Sequence, residues 1–424
     1  MADNAFNKEE VVAFENVIQG FEDGLVMSQN VNVYGSDGQL MERANDTIWR
    51  PQQYISVGGD RVVGAAVSAK GKTQLSVPAT LGYQPNDVFD LDALEMRDAL
   101  QEGRLGTASA NYLASRINTA VATVATLQGT QVVAVSTAPG TYDNIASCDS
   151  LFNEQGIPGD QRYMALNSRD YNGMASNLAA RQTMTGLPEG AYKNSYVGRV
   201  AEFETFKLDI GRRIAAAGGG GSRTIDTRAS AGNYWVPVAT RTASTGEVSN
   251  VDNRYQTITV SSTSGAAAGD CFNILGIEAV HMIEKGSTGQ LKTYRVISVD
   301  SSTTMTISPP IISNQGATDA EEAYQNCIVT PSATASIVWL NSDASGYNVF
   351  WRKPAIELLP GRYAVPAGQG AAVMRSSTKN GIEIVMTKRF DPDTFKTRFT
   401  FDCRFGVVMT APEQCGVLLF NQTP

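Results

Sequence analysis

Apolar residues recur along the chain with two periods, and the switch between them marks where helices give way to strands. Near the start Val11, Phe14, Ile18, Phe21 and Leu25 stand three or four apart, one side of a helix. The spacing predicts a helix over 7–28, with Asn7 as N-cap and Glu10 completing a capping box. Gly20 and Gly24 weaken it by about 1 kcal/mol each relative to Ala. At a chain end such a stripe serves either the chain's own core or a neighbour, as a docking arm. The strongest helix signal is 107–128, where Leu113, Ile117, Val121, Val124 and Leu127 form a stripe among alanines. That rod is ~33 Å long at 1.5 Å per residue, and its thin flanks admit close neighbours. Asp87, Asp90, Asp92 and Glu95 ahead of it are expected to favour the helix N-terminus rather than to hold a metal.

Elsewhere the period is two. Residues 50–82 read as extended structure broken by Gly58-Gly59, Gly64 and Gly71, a long projecting hairpin with Lys70 and Lys72 at its tip. Val62-Val63 and Leu75-x-Val77 flank that tip. From 131 to 217 short apolar and helical segments alternate, an α+β pattern. Gly218, Gly219, Gly220 and Gly221 follow, a run that holds neither helix nor strand and is expected to be a hinge or junction. Over 223–310 the texture turns to Thr, Ser, Val and Gly. Ile258 and Val260 alternate with Thr257 and Thr259, and Met305 and Ile307 with Thr304 and Thr306. Glycine-rich turns at 265–269 and 286–289 separate these strands, which predicts an inserted β-barrel or sandwich. Near the end Ile382, Ile384 and Met386 alternate, Asp391-Pro392-Asp393 turns, and Phe399, Phe401, Cys403 and Phe405 alternate against Arg398, Thr400, Asp402 and Arg404. One face of that hairpin is buried.

Composition narrows the function. A chain of 424 residues with 42% hydrophobic side chains has enough apolar surface for sizeable cores, which excludes a mostly disordered protein. Its length suits about three domains or one large elaborated one. Charged residues make up 18%, below the ~25% of an average soluble protein, a hint of surface buried against other subunits. With 34 basic against 42 acidic residues the net charge is −8, which argues against a protein that grips nucleic acid. Five scattered cysteines without a Cys-x-x-Cys pair exclude the usual zinc spacing and a disulfide framework. Met1-Ala2-Asp3-Asn4 opens no signal peptide, and no apolar run approaches the ~20 residues of a membrane span. A soluble protein made in the cytosol is expected, with no membrane partner.

Catalytic patterns are weak. His281, the single histidine, lies in Ile277-x-Ala279-x-His281-x-Ile283 and reads as a structural residue. A hydrolase would have to use it, and there is no Gly-x-Ser-x-Gly elbow to serve it. The segment from Ala66 to Thr73 ends in Gly71-Lys72-Thr73 but has Ala66 where a phosphate loop needs glycine, a chance match. The residues name no catalytic group, no cofactor and no metal ligand.

Several stretches point elsewhere together: Thr47-Ile48-Trp49-Arg50-Pro51, Leu187-Pro188-Glu189-Gly190-Ala191-Tyr192, Val200-Ala201-Glu202-Phe203, Val251-Asp252-Asn253-Arg254-Tyr255 with Gly269-Asp270, Asn348-Val349-Phe350-Trp351 and Asp391-Pro392-Asp393. In order and spacing they resemble the major coat protein family of short-tailed bacteriophages of the P22 type, over nearly the whole chain. The resemblance implies an α+β fold, the HK97-like capsid fold with an inserted all-β barrel. It implies an N-terminal arm at 1–35 and an E-loop at 50–82. A P-domain would take 36–49, 83–130 and 377–409, with a spine helix at about 107–128. An A-domain would take 131–221, 336–376 and 410–424, and the inserted barrel 222–335. The function implied is assembly, with a scaffolding protein and a portal protein, into hexamers and pentamers of an icosahedral procapsid. That shell matures to enclose double-stranded DNA without reading its sequence, as a virion capsid built in the host bacterial cytoplasm. Subunit contacts are expected at Phe14, Ile18, Phe21, Lys70, Lys72, Arg241, Glu247 and Asp252, and hinges at Gly218–Gly221. From Arg241 to Asp252 the chain is similar to the family in position only, so contact partners do not carry over. A tail or adhesive component is the alternative suggested by the Thr/Ser-rich block.

Overall fold

Apolar residues at every second position, Phe399, Phe401 and Cys403, decide one sheet. Strands Ala372–Ser377, Glu383–Asp391, Lys396–Cys403 and Asn86–Asp92 pair antiparallel in that order, and Phe399, Phe401 and Cys403 are buried. The computed structural model describes residues 8–35, 47–58, 63, 69–92, 99–180, 197–218, 223–226, 234–363, 372–378 and 381–423. This sheet belongs to the first of two units, made of residues 1–48, 79–123 and 356–408.

Helix α1 (Lys8–Gly24) covers this sheet. Phe14 stacks on Phe401 with ring centroids 6.5 Å apart, and the buried Glu10 is ion-paired with Lys388. The expected stripe is rotated: Phe14, Val17, Phe21 and Leu25 are buried, Ile18 is half-buried and Val11 is exposed. Helix α2 (Ala99–Gln128) supplies the reason. A Cβ built on its Gly106 would stand 2.8 Å from Val17 Cγ2, so the bare backbone at 106 admits Val17. Asn7 lies outside the described residues, and Glu10 is engaged by Lys388.

Helix α2 carries the expected stripe, with Leu113, Ile117 and Val121 fully buried, and Ala110 and Ala114 beside them. It has 30 residues, begins before the expected position 107, and is ~45 Å long. The acidic run ahead of it is a correction. Asp87, Asp90 and Asp92 lie in the strand Asn86–Asp92, not at a helix N-terminus; Glu95 lies outside the described residues. Asp90 faces Arg398 and Asp92 faces Lys396 across the ladder, and Arg398 grips Asp90 with bonds of 2.7 and 2.9 Å. Cross-strand charge pairing on a solvated face outweighs the pull of the helix end.

The second unit comprises 49–78, 124–355 and 409–424. One six-stranded sheet runs in the order Gln131–Ala134, Cys415–Leu419, Val349–Arg352, Arg162–Asn167, Phe203–Leu208, Arg199–Val200. Helices α3 (Tyr142–Glu154) and α4 (Ser168–Ala179) accompany it, the expected α+β pattern. Phe152, Phe203 and Phe350 meet with centroids 5.0 to 6.0 Å apart, joined by Ile145, Cys148, Met164 and Leu418 in one core.

The second sheet of this unit closes on itself. Its order is Arg223–Thr224, Ser336–Trp339, Cys271–Val280, Ser287–Val299, Thr304–Ser308, Gln256–Thr259. An antiparallel bridge between Ile225 and Val260 joins its two ends, so the inserted block is a barrel. Ile258, Val260, Phe272, Tyr294, Met305 and Ile307 fill it, while Thr257 and Thr306 bond oxygen to oxygen at 3.0 Å outside. A short helix α5 (Asp319–Tyr324) starts from a capping box between Thr318 and Glu321.

Candidate assembly surfaces

His281 and the cysteines are tied into the structure. The strand carrying His281 ends at Val280, and His281 starts a turn instead. Its Nδ1 accepts the N–H groups of Ile283 at 3.3 Å and Glu284 at 3.1 Å, which assigns the proton to Nε2. That edge rests on Gly156, where a Cβ would come within 2.5 Å of Nε2. All five cysteines are free and buried. Burial pushes the Cys271 thiol up to about 11 and those of Cys327, Cys403 and Cys415 up to about 12. Cys148 is pushed up further by the same cause. Among the described residues no group of His, Cys, Asp and Glu is placed to hold a metal ion, and none of the helices is long and apolar enough to cross a membrane.

What stands out is a ribbon with nothing to bury. Thr240–Thr242 pairs antiparallel with Val248–Asn250, Arg241 opposite Ser249, and residues 240–250 are exposed throughout. The turn requires Gly246, at φ +84°, where a side chain would be strained. Two of the expected contact residues, Arg241 and Glu247, sit on this ribbon. Asp252 does not share their freedom: Arg254 holds it through Nε at 2.9 Å and Nη2 at 2.6 Å. Arg254 also donates to the Met409 carbonyl at 2.8 Å, so Asp252 serves the junction between the barrel and the C-terminal segment.

Among the described residues the 50–82 segment forms a strand pair only at its base, Ile48–Pro51 against Ser76–Ala79. Most of its far end lies outside the described residues, but 70–73 do not project. Lys70 is ion-paired with Glu322, the Gly71 N–H donates to Asp319 at 2.6 Å, and the Tyr324 hydroxyl donates to the Thr73 carbonyl at 3.0 Å. All three partners are on α5. Lys72 is exposed. Phe14 and Phe21, also expected at subunit contacts, are in the chain's own core, and Ile18 keeps part of its surface. Of the glycine run, Gly218 donates its N–H to Gly265 O at 3.1 Å; Gly219–Gly221 lie outside the described residues.

Sequence reasoning missed Arg295. Tyr294 and Val296 point into the barrel, so the alternation turns Thr293 and Arg295 outward. There they meet the end of α2: Arg295 Nε donates to Gly129 O at 3.0 Å and Thr293 Oγ1 to Thr130 O at 2.7 Å. Arg295 Nη1 also donates to Gly269 O at 2.7 Å. A cation at a helix C-terminus meets the negative end of the dipole. Lys292, two strand positions from Tyr294, is ion-paired with Glu413 at 2.6 Å and is itself buried. The one available signal was Lys292, a cation at the parity of the barrel residues Tyr294 and Val296, where a strand with one face in water carries an apolar residue.

A sequence model of the family described as P22 coat protein, gene protein 5, matches residues 1–421. Among solved structures, the capsid of cyanophage P-SCSP1u is similar over 92% of this chain and 85% of that chain, at 10% identity and a TM-score of 0.43. Mycobacterium phage Che8 matches over 94% and 91%, at 11% identity and 0.42. The CUS-3 coat protein I-domain is 35% identical over 29% of this chain and 99% of that chain, with a TM-score of 0.21.

Proposed function

Because the chain belongs to the P22 coat protein family, major capsid proteins of bacteriophages, we propose that it assembles with a scaffolding protein into hexamers and pentamers of an icosahedral procapsid. Its fold is the HK97-like capsid fold with an inserted barrel. The procapsid then matures around double-stranded DNA, with a portal protein at one vertex, in the host cytoplasm. Its work is geometric, and no catalysis is assigned to it.

The match over 1–421 carries this reading, and the exposed ribbon supports it. A two-stranded hairpin alone is marginal in water, and one whose residues are all exposed gains little on its own subunit. Contacts of millimolar strength are worth ~4 kcal/mol each, weak enough to correct errors, while many per subunit add up. We assign Arg241 and Glu247 to contacts between subunits, with Lys72 and the exposed side of Ile18 as further ones. Lys70 reaches a neighbour only by leaving Glu322, so the hairpin is held on α5 before assembly and released during it. Gly218–Gly221 act as the hinge between 131–217 and the barrel. The acidic balance suits a container that must let DNA in and out. Sedimentation of the purified chain mixed with scaffolding protein tests the proposal. Fast-sedimenting closed particles are expected; a chain that stays monomeric under those conditions refutes it.

A further inference from the structure

Beside the strand Gln131–Ala134 lies an open groove of about 550 Å³. One wall is a strand edge. Among the described residues this strand ends its sheet and pairs on one side only, in parallel with Cys415–Leu419. The Val135 N–H donates to Leu419 O at 2.9 Å, which fixes the parity. Residues 131, 133 and 135 bond to the sheet, and the N–H and C=O groups of Val132 and Ala134 face the groove. The strand has no Lys or Pro of its own to guard that edge, the usual devices against pairing with another chain.

The other wall is one side of α3. Asp143, Ala146, Ser147, Ser150, Leu151 and Glu154 line it, spaced by three and four as one helix face requires. Arg162 fixes this helix from behind, ion-paired with Asp149 and bonded to Asn153 at 2.8 Å. The small side chains in the middle leave the strand edge open at the exposed Ala134, Val132 being buried, and a carboxylate stands at each end. From Asp143 to Glu154 the helix rises about 16 Å, so two long side chains about 13 Å apart, four strand positions, reach both ends by splaying outward.

We propose that this groove takes up an extended, basic segment of another protein as an added strand. Its backbone pairs with Val132 and Ala134. Two Lys or Arg residues four positions apart, and so on one face of the added strand, reach Asp143 and Glu154. A small residue midway between them fits over Ala146, Ser147 and Ser150. The open backbone edge selects an extended chain over a helix, and the two carboxylates select its charge.

Fluorescence anisotropy tests this with the full-length chain before assembly and a labelled peptide, Thr-Lys-Val-Ser-Val-Lys-Thr. Saturable binding is expected, at least tenfold tighter than for the same peptide with Glu in place of Lys. The double variant Asp143→Lys, Glu154→Lys should weaken it at least fivefold. Ala134→Pro should do the same, since it removes a groove-facing N–H and none bonded to the sheet. If Ala134→Pro disturbs folding, Ser150→Trp blocks the groove from the helix side and should abolish binding. Absence of saturable binding up to millimolar protein overturns the proposal, as does equal binding of the two peptides or indifference to every folded variant. Self-association of the peptide-free chain that the double charge reversal abolishes also overturns it, in favour of a second copy as the occupant.

Discussion

Replacing Arg295 by Met should loosen the end of α2 without loosening the barrel. Arg295 is fully buried, and Met keeps much of its length while removing every donor. Three bonds are lost, to Gly129 O at 3.0 Å, Gly269 O at 2.7 Å and Cys271 Sγ at 2.8 Å; the two to carbonyls are worth about 1.5–3 kcal/mol each and the one to the weakly accepting sulfur little. Against this, a buried guanidinium whose Nη2 has no partner among the described residues disappears, which returns about 1–3 kcal/mol of desolvation. The bonds win by about 2–3 kcal/mol on these figures, because the stranded carbonyls stay buried. Hydrogen exchange read by mass spectrometry measures the outcome locally. At 1.4 kcal/mol per decade, amides around 125–132 should exchange about 30–150 times faster. Those of the barrel strand Thr304–Ser308, held by its own ladder, should change little. Arg295→Lys, which keeps one donor group, should fall between. Unchanged or slower exchange at 125–132 would show that desolvation outweighs the bonds, and equal loosening of both regions would deny that the effect is local.

Three other outcomes follow from the geometry. Lys70→Glu should free the 70–73 segment for proteolysis, and the swap Lys70→Glu, Glu322→Lys should restore protection; the pair is partly exposed, so stability should move by less than about 1 kcal/mol. Replacing Gly218–Gly221 with alanine should trap or misassemble shells, since a Cβ on Gly218 would stand 2.9 Å from Gly265 O; normal expansion of the shells counts against the hinge. The thiols should resist iodoacetamide at pH 8 in the native protein and react in denaturant. Their ionisation is raised from 9.0 to about 11 or 12 by burial, so their share of stability is whole below pH 9 and lost as pH rises toward those values. A denaturant titration flat from pH 8 to 11 would contradict that.

Much of the fold was legible because its elements are strictly periodic. Phe399, Phe401 and Cys403 could only form a one-sided strand, and Leu113, Ile117 and Val121 only a buried helix face. What the periodicity could not show was how elements meet. Val17 displaces Ile18 from the α1 stripe because Gly106, distant in sequence, leaves room for it. Asp90 reads as a helix-end carboxylate until Arg398 is placed opposite. The environment of the candidate contact residues was legible in part. Exposure at Arg241 and Glu247 follows from a polar ribbon with a Gly246 turn, whereas the ties of Asp252 to Arg254 and of Lys70 to Glu322 depend on packing. Arg295 was missed for the same reason: a cation inside a barrel strand makes sense only once the end of α2 lies against it.

Electron microscopy of the chain co-expressed with the proposed scaffolding partner tests the central claim most directly. Closed polyhedral shells with sixfold and fivefold clusters are predicted, and they should be lost when Arg241→Glu and Glu247→Lys are combined in a chain that still folds. Fibres, tail-like tubes or dispersed monomers from the unmodified chain would contradict the account.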